Sequence, residues 1–205
     1  MWTFVIWIPA VLCALALHEA AHAYAADYLG DPTPRRLGRV TLNPLAHLDV
    51  IGTLLLVLVH FGWGKPVPVD PRNFNRPRRD MVLVALAGPL ANIVTAVILA
   101  FVLRTGGFAA MPAASIAINA LVIVSLLLAL FNLLPIPPLD GSKILYGLLP
   151  VALSPLYLRI SKPLSWSLLA LVVIGSASDF NPLGTLLFQP VDILYEWMVG
   201  RASSI

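Results

Sequence analysis

Charge is what this sequence has least of. Of its 205 residues only 11% are Asp, Glu, Lys or Arg, while 59% are hydrophobic, and the mean hydropathy is +0.89. Soluble domains carry about 25% charged residues, so a water-soluble fold of this chain would lack the groups to cover its surface and would aggregate. Disorder is excluded by the same shortage, because disordered chains are charge-rich and poor in apolar residues. Cysteine is almost missing too: Cys13 stands alone and rules out an internal disulfide framework. No long polar run marks an appended soluble domain, and there is no internal repeat or low-complexity tract. A lipid bilayer is the remaining solvent.

The charges that are present give an orientation. Eight of the 13 Lys/Arg residues fall between positions 29 and 80 (Arg35, Arg36, Arg39, Lys65, Arg72, Arg76, Arg78, Arg79). The positive-inside rule puts that region in the cytoplasm and the N-terminus outside. The net charge of +3 therefore reflects membrane topology, and nucleic acid is not an expected partner. Arg76, Arg78 and Arg79 read as topology determinants near anionic headgroups. Residues 1–28, 81–104 and 113–136 are apolar and long enough to span. The first is not a secretory signal, since it has no Lys or Arg before it and His18, Glu19 and His22 fill the would-be cleavage zone. Residues 50–63 are apolar but too short for a comfortable span. A crossing there would also put the two basic loops on opposite sides, so a re-entrant or interfacial hairpin is expected. Lys65-Pro66-Val67-Pro68-Val69-Asp70 reads as an extended edge, because proline excludes helix and central strand. Arg39-Val40-Thr41-Leu42 alternates like a short strand, and the two together form either an edge for strand addition or a simple surface loop. Beyond Asp140, residues 143–151 and 163–178 are shorter apolar stretches, and 182–200 is a mixed helix carrying Asp192 and Glu196.

The chemistry is concentrated in His18-Glu19-Ala20-Ala21-His22, an H-E-x-x-H pattern. At 3.6 residues per turn, positions i and i+4 share one helix face, so both imidazoles reach one tetrahedral Zn²⁺. Glu19 is offset round the helix and suited to take a proton from a water held at the metal. Three ionisable groups in an otherwise apolar helix each cost about 2.5–3.5 kcal/mol at mid-membrane on insertion scales, and intramembrane ionisable residues are functional by default. A catalytic zinc needs a third protein ligand and an open position. Asp140 is the candidate, in Asn132-Leu133-Leu134-Pro135-Ile136-Pro137-Pro138-Leu139-Asp140-Gly141. The prolines must end the preceding helix, and Gly141 permits a tight turn. The other role open to Asp140 is that of a cap on the helix that follows.

At these residues the sequence resembles the site-2 protease family of zinc intramembrane metalloproteases, in its compact bacterial and archaeal form. The matching elements are His18-Glu19-xx-His22, Gly88-Pro89-Leu90-Ala91-Asn92, and the segment from Asn132 to Gly141. Thr41-Leu42-Asn43-Pro44-Leu45-Ala46-His47-Leu48-Asp49 is similar to compact members as well. The resemblance implies His18, His22 and Asp140 as ligands of one Zn²⁺ per chain, Glu19 as general base, and cleavage of a transmembrane substrate in or near the bilayer. Unlike many relatives, the chain shows no inserted PDZ domain and no CBS domains. The expected architecture is an all-α polytopic membrane protein: a three-helix catalytic core, a re-entrant or β-hairpin-like segment on the cytoplasmic side, and additional C-terminal helices. It is expected as one integral-membrane metalloprotease domain over 1–205, with the core in 1–150 and a C-terminal extension in 151–205. The expected location is a prokaryotic cell membrane, with the site toward the cytoplasm.

Other polar residues have two roles open. Asn92 and Asn132 either hydrogen-bond the developing oxyanion or substrate backbone or join helices. His47 either orients substrate or binds metal, or is structural; His60 reads as interfacial. Because hydrolysis needs water, a polar cavity open to the cytoplasm is expected. Two competing functions are a zinc transporter, disfavoured by the lack of acidic residues in 81–104 and 113–136, and a catalytically silent membrane zinc protein that binds transmembrane segments.

Overall fold

The computed structural model describes residues 2–59, 62–106, 108, 110–177 and 181–200; His60 lies outside them. Regular structure among these residues is helical: α1 (Trp2–Tyr28), α2 (Thr33–Arg36), α3 (Val50–Val59), α4 (Pro77–Arg104), α5 (Pro112–Leu133), α6 (Asp140–Leu148), α7 (Ser154–Ala177) and α8 (Pro182–Val199). Three of them are long and apolar enough to cross a membrane: α1 over Ile6–Tyr28, α4 and α5. Proline sets the starts of α4, α5 and α8, where Pro77, Pro112 and Pro182 occupy the first turn and the missing N–H costs nothing. α5 stops at Leu133, and helix resumes only at Asp140, after Pro135, Pro137 and Pro138.

Small residues let these helices pack closely. Ala10, Ala14, Ala16, Ala20, Ala23 and Ala26 of α1 are all buried, which brings neighbouring backbones near in the way membrane helices favour. Ala10 and Ala14 meet Ala120 and Val124 of α5. Ala96 and Ala100 of α4 pack with Val122 and Ile123 of α5 and with Val191 and Tyr195 of α8. The C-terminal helix is thus part of the main core. α1 and α4 run antiparallel, since Val84 lies beside His22 and Asn92 reaches Ala14. Gly141 is required by close approach: a Cβ there would overlap the Leu133 carbonyl carbon at 2.5 Å. The expected tight turn is replaced by the first turn of α6, packed against the end of α5.

The segment between α1 and α4 departs from expectation. Residues 50–59 form one short helix, α3, capped by Asp49 Oδ1 accepting from Gly52 N–H at 2.9 Å. No strand forms among the described residues; residues 39–42 are bend and loop, and pairing is limited to an isolated antiparallel bridge between Leu48 and Gly64. Side chains take over the work of a sheet. Arg39 is only 4% exposed and donates to the Pro66 carbonyl at 3.1 Å and to the Lys65 carbonyl. The Lys65 N–H in turn donates to the His47 carbonyl at 2.8 Å. Residues 62–70 therefore form an extended strap. Arg78, expected as a topology determinant, spends its guanidinium on the Tyr146 carbonyl (2.7 Å) and Ser154 Oγ (3.1 Å), tying the start of α4 to the end of α6.

Asp31 clamps the far end of the strap. It is fully buried and accepts from Asp70 N–H at 2.7 Å, Asn73 Nδ2 at 2.7 Å, Thr33 N–H at 3.0 Å and Thr33 Oγ1 at 2.6 Å. Burial alone would push its carboxyl up, but these hydrogen bonds outweigh it and hold the group below the usual carboxylate range. A lowered native pKa means the clamp is at full strength above the unfolded value of about 3.9 and weakens as pH falls through the native value. Asp31→Ala leaves buried donors unpaired, at about 1–3 kcal/mol. Hydrogen exchange of the 64–76 amides is expected to quicken about tenfold or more in this variant at neutral pH. In the wild type the same amides are expected to lose protection only well into the acid range.

Candidate metal centre

His18 and His22 stand one turn apart on the buried face of α1, and Asp140 opens α6 on the far side of α5 in the chain. The fold brings them together. Asp140 Oδ2 lies 3.1 Å from His18 Nε2 and 2.9 Å from His22 Nε2, and the two Nε2 atoms are 3.1 Å apart. All three residues are buried, and their ligand atoms fall within 4.8 Å of one another. The imidazoles meet edge to face, with planes at 87°.

The hydrogen bonding shows what such a cluster is suited to hold. His22 Nδ1 lies 2.7 Å from the Val84 carbonyl, which only accepts, so Nδ1 carries the proton. A neutral His22 then turns its Nε2 lone pair toward a carboxylate oxygen that also has only lone pairs. Three electron-pair donors converging on one buried point fit a cation. Two ligands bonded at about 2.0–2.1 Å to a tetrahedral zinc lie about 3.3 Å apart, close to the spacings found here. The other carboxylate oxygen, Asp140 Oδ1, accepts from Lys143 Nζ at 2.9 Å. That ion pair turns Oδ2 alone toward the histidines.

Gly88 makes room for the centre. A Cβ at this position would stand 2.6 Å from His22 Cε1 and 2.7 Å from His18 Nε2, so only a glycine on α4 lets the imidazoles sit between the helices. Glu19 is half-buried beside them, with Oε2 accepting from the strap's Val67 N–H at 3.2 Å. The centre opens on a cavity of about 1000 Å³. Its walls are chiefly apolar, with Trp7, Val11, Leu128, Phe131, Leu183 and Leu187 among them, and His18, Glu19, His22, Asn132, Asp140 and Lys143 are among its polar lining. The cavity expected to be polar is therefore a greasy chamber with a polar floor.

The remaining candidates are placed differently. Asn132 lines the cavity, with Nδ2 donating to the Leu128 carbonyl of its own helix at 3.0 Å. Asn92 is fully buried and is not among the cavity-lining residues; its Nδ2 approaches the Ala14 carbonyl at 3.4 Å. That contact joins α4 to α1. His47 is fully buried away from the three-residue cluster, with Nε2 2.9 Å from the Thr41 carbonyl and Nδ1 3.3 Å from the Arg39 guanidinium. It braces the arginine that pins the strap. Two further residues shape the site: Lys143, for which the i,i+3 spacing from Asp140 is the sequence signal, and Arg39, whose inward turn no local pattern marks.

Fold and site together define a helical membrane protein with a buried two-histidine, one-carboxylate centre. The comparisons give the family. The model of Peptidase family M50 matches residues 107–175, the stretch that holds Asn132 and Asp140. The chain is 42% identical over 147 residues to "Putative zinc metalloprotease YwhC" of Bacillus subtilis, covering 68% of this chain and 67% of that protein. It is 34% identical over 176 residues to "Putative zinc metalloprotease Rip2" of Mycolicibacterium smegmatis, covering 83% of this chain and 66% of the relative. The relative of the same name in Mycobacterium tuberculosis H37Rv is 33% identical over 185 residues, covering 87% and 69%. The chain thus spans about two thirds of the length of these relatives. No solved structure matches it. The chain belongs to peptidase family M50, the site-2 protease family of zinc metalloproteases.

Gly88→Ala tests the close approach of α4. Overpacking costs about 1–3 kcal/mol, so zinc affinity is expected to fall about tenfold or more with helicity retained, as read by competition with a chromophoric chelator. Unchanged affinity would mean the helices have slack at this point.

Proposed function

We propose that the chain is a zinc-dependent intramembrane endopeptidase. It hydrolyses peptide bonds in or near transmembrane segments of membrane-protein substrates. We place it as a multi-pass protein of a prokaryotic cell membrane, with its site toward the cytoplasmic side and one zinc ion held by His18, His22 and Asp140. The observation that carries this reading is the convergence of three electron-pair donors, from positions 122 residues apart, at the floor of a cavity walled by the helices themselves. A soluble protease would present such a centre to water; here the approach to it is lined by apolar side chains that suit a transmembrane peptide segment.

A zinc ion bound by these residues would supply the Lewis acidity that polarises a peptide carbonyl and acidifies a water. The chain's own residues do the rest. The Val84 carbonyl holds His22 in the tautomer that frees Nε2, and Lys143 fixes the Asp140 carboxylate. Glu19, oriented by the Val67 N–H, takes the proton of the attacking water and delivers it to the leaving amine. The apolar walls receive the substrate segment and keep bulk water out. Asn132, which does line the cavity, is the side-chain amide positioned to hold an unwound substrate backbone. The core of the activity lies in 1–150, with α8 supporting it from outside that range through Val191 and Tyr195.

The competing reading is a silent zinc protein that binds transmembrane segments without cutting them, and Glu19 separates the two. Glu19→Gln is expected to keep zinc and helicity and to lose cleavage of single-span substrates reconstituted in detergent or vesicles. General acid–base groups contribute about 10²–10⁴-fold, so a variant that cuts at the wild-type rate removes Glu19 from the mechanism. A wild type that binds zinc and substrate but never cuts points to the silent binder. Asp140→Asn weakens one ligand and is expected to lower zinc content in metal analysis; unchanged stoichiometry would exclude Asp140 from the centre.

A further inference from the structure

The two histidines of the centre are treated unequally. His22 Nδ1 has its acceptor in the Val84 carbonyl, whereas His18 Nδ1 is buried with no hydrogen-bond partner. A histidine that binds metal through Nε2 carries its proton on Nδ1, and such protons are almost always given to an oxygen that fixes the ring. An unpaired buried donor costs about 1–3 kcal/mol. Among the described residues, the other buried side-chain N and O atoms without partners are Arg39 Nε, Arg78 Nε, Asn92 Oδ1 and Ser125 Oγ. The arginine nitrogens are donors. The acceptors are therefore Asn92 and Ser125.

We infer that Asn92 is the partner of His18: its Oδ1 accepts the Nδ1–H of that imidazole through one buried water and locks the ring with Nε2 turned to the metal. The inference rests on the proposed role of His18 as a ligand. Three observations place the two groups together. Gly88, one turn before Asn92 on α4, faces His18, since a Cβ there would lie 2.7 Å from His18 Nε2. Asn92 faces Ala14, one turn before His18 on α1. Helical side chains lean toward the N-terminus of their helix, so the His18 ring leans toward the turn of Ala14, where the Asn92 amide sits. The Ala14 carbonyl takes an N–H from Nδ2, which fixes the amide's orientation and leaves Oδ1 as the free end. Ser125 is likewise buried and unpartnered, on α5, which packs against both helices. Asn92 is shut off from the cavity and so is a positioning residue, not a group that meets substrate.

Substitution separates this role from ordinary helix joining. Joining α1 to α4 uses the Nδ2 donor, whereas positioning His18 uses the Oδ1 acceptor. Asn92→Asp keeps the acceptor and sacrifices the donor; Asn92→Leu removes both at similar volume. Zinc affinity is measured on the full chain in detergent by chelator competition, with helicity and melting followed in parallel. The Leu variant is expected to lose about 10–100-fold in affinity, the usual effect of removing a histidine's outer partner, and the Asp variant to bind at least as tightly as wild type. Wild-type affinity in Leu, or an Asp variant that folds yet loses as much as Leu, overturns the proposal. Should Leu not fold, ¹⁵N-histidine NMR of zinc-loaded wild type and Asn92→Asp decides. The His18 Nδ1–H resonance is expected to move downfield with the stronger acceptor, and an unmoved resonance overturns the inference. His18→Ala keeps the two readings apart. Zinc retained there sinks the ligand set itself, whereas zinc lost there with Asn92 variants unaffected sinks only the role of Asn92.

Discussion

The structure depends on bringing three lone-pair donors to within 2.9–3.1 Å of one another in an apolar interior. Such a cluster repels itself unless a cation or a shared proton offsets it, and the low dielectric magnifies the cost. Much of the surrounding fold serves to hold it there. The alanines of α1 and Gly88 of α4 set the helix separation, the prolines after Leu133 release the chain in time for Asp140 to turn back, and Gly141 lets α6 start against the end of α5. Each is a small or conformationally restricted residue placed where a larger or freer one would push a donor out of line.

A second layer controls what lies over the centre. The strap is held by side chains in place of a sheet: Arg39 on two of its carbonyls, His47 behind Arg39, and Asp31 at its far end. Midway along it, the Val67 N–H donates to the Glu19 carboxylate. Order in the loop around Arg39 and His47 is thus passed to the residue proposed to move the proton. Bonds of this kind retain strength because they are buried, and a buried guanidinium is tolerated when most of its donors find acceptors.

Local chemistry was legible in the sequence where it depended on spacing alone. His18 and His22 share a face by the geometry of any helix, and three long apolar runs declare three long helices. The shortness of residues 50–63 indicated that they do not cross as a simple span, and α3 is indeed a ten-residue helix. Legibility failed where the partner is distant in sequence. The alternation of Arg39–Leu42 suggested a strand, but Arg39 was taken inward by the carbonyls of Lys65 and Pro66, which no local pattern announces. His47, set in a polar loop, is buried for the same reason. Polarity of the cavity was inferred from the need for water, while the packing of α1, α5 and α8 made its walls apolar.

The sequence by itself determined that this chain is built for a membrane, that three long segments are helical, and that one helix carries two imidazoles on one face with a carboxylate beside them, because composition and periodicity act over a few residues. Only the tertiary structure decided that Asp140 turns one oxygen to those imidazoles and the other to Lys143, that Asn92 faces α1 and not the cavity, and that the strap reaches Glu19. These depend on helix separation and on which buried polar atoms find partners, and both are settled by packing between residues far apart along the chain.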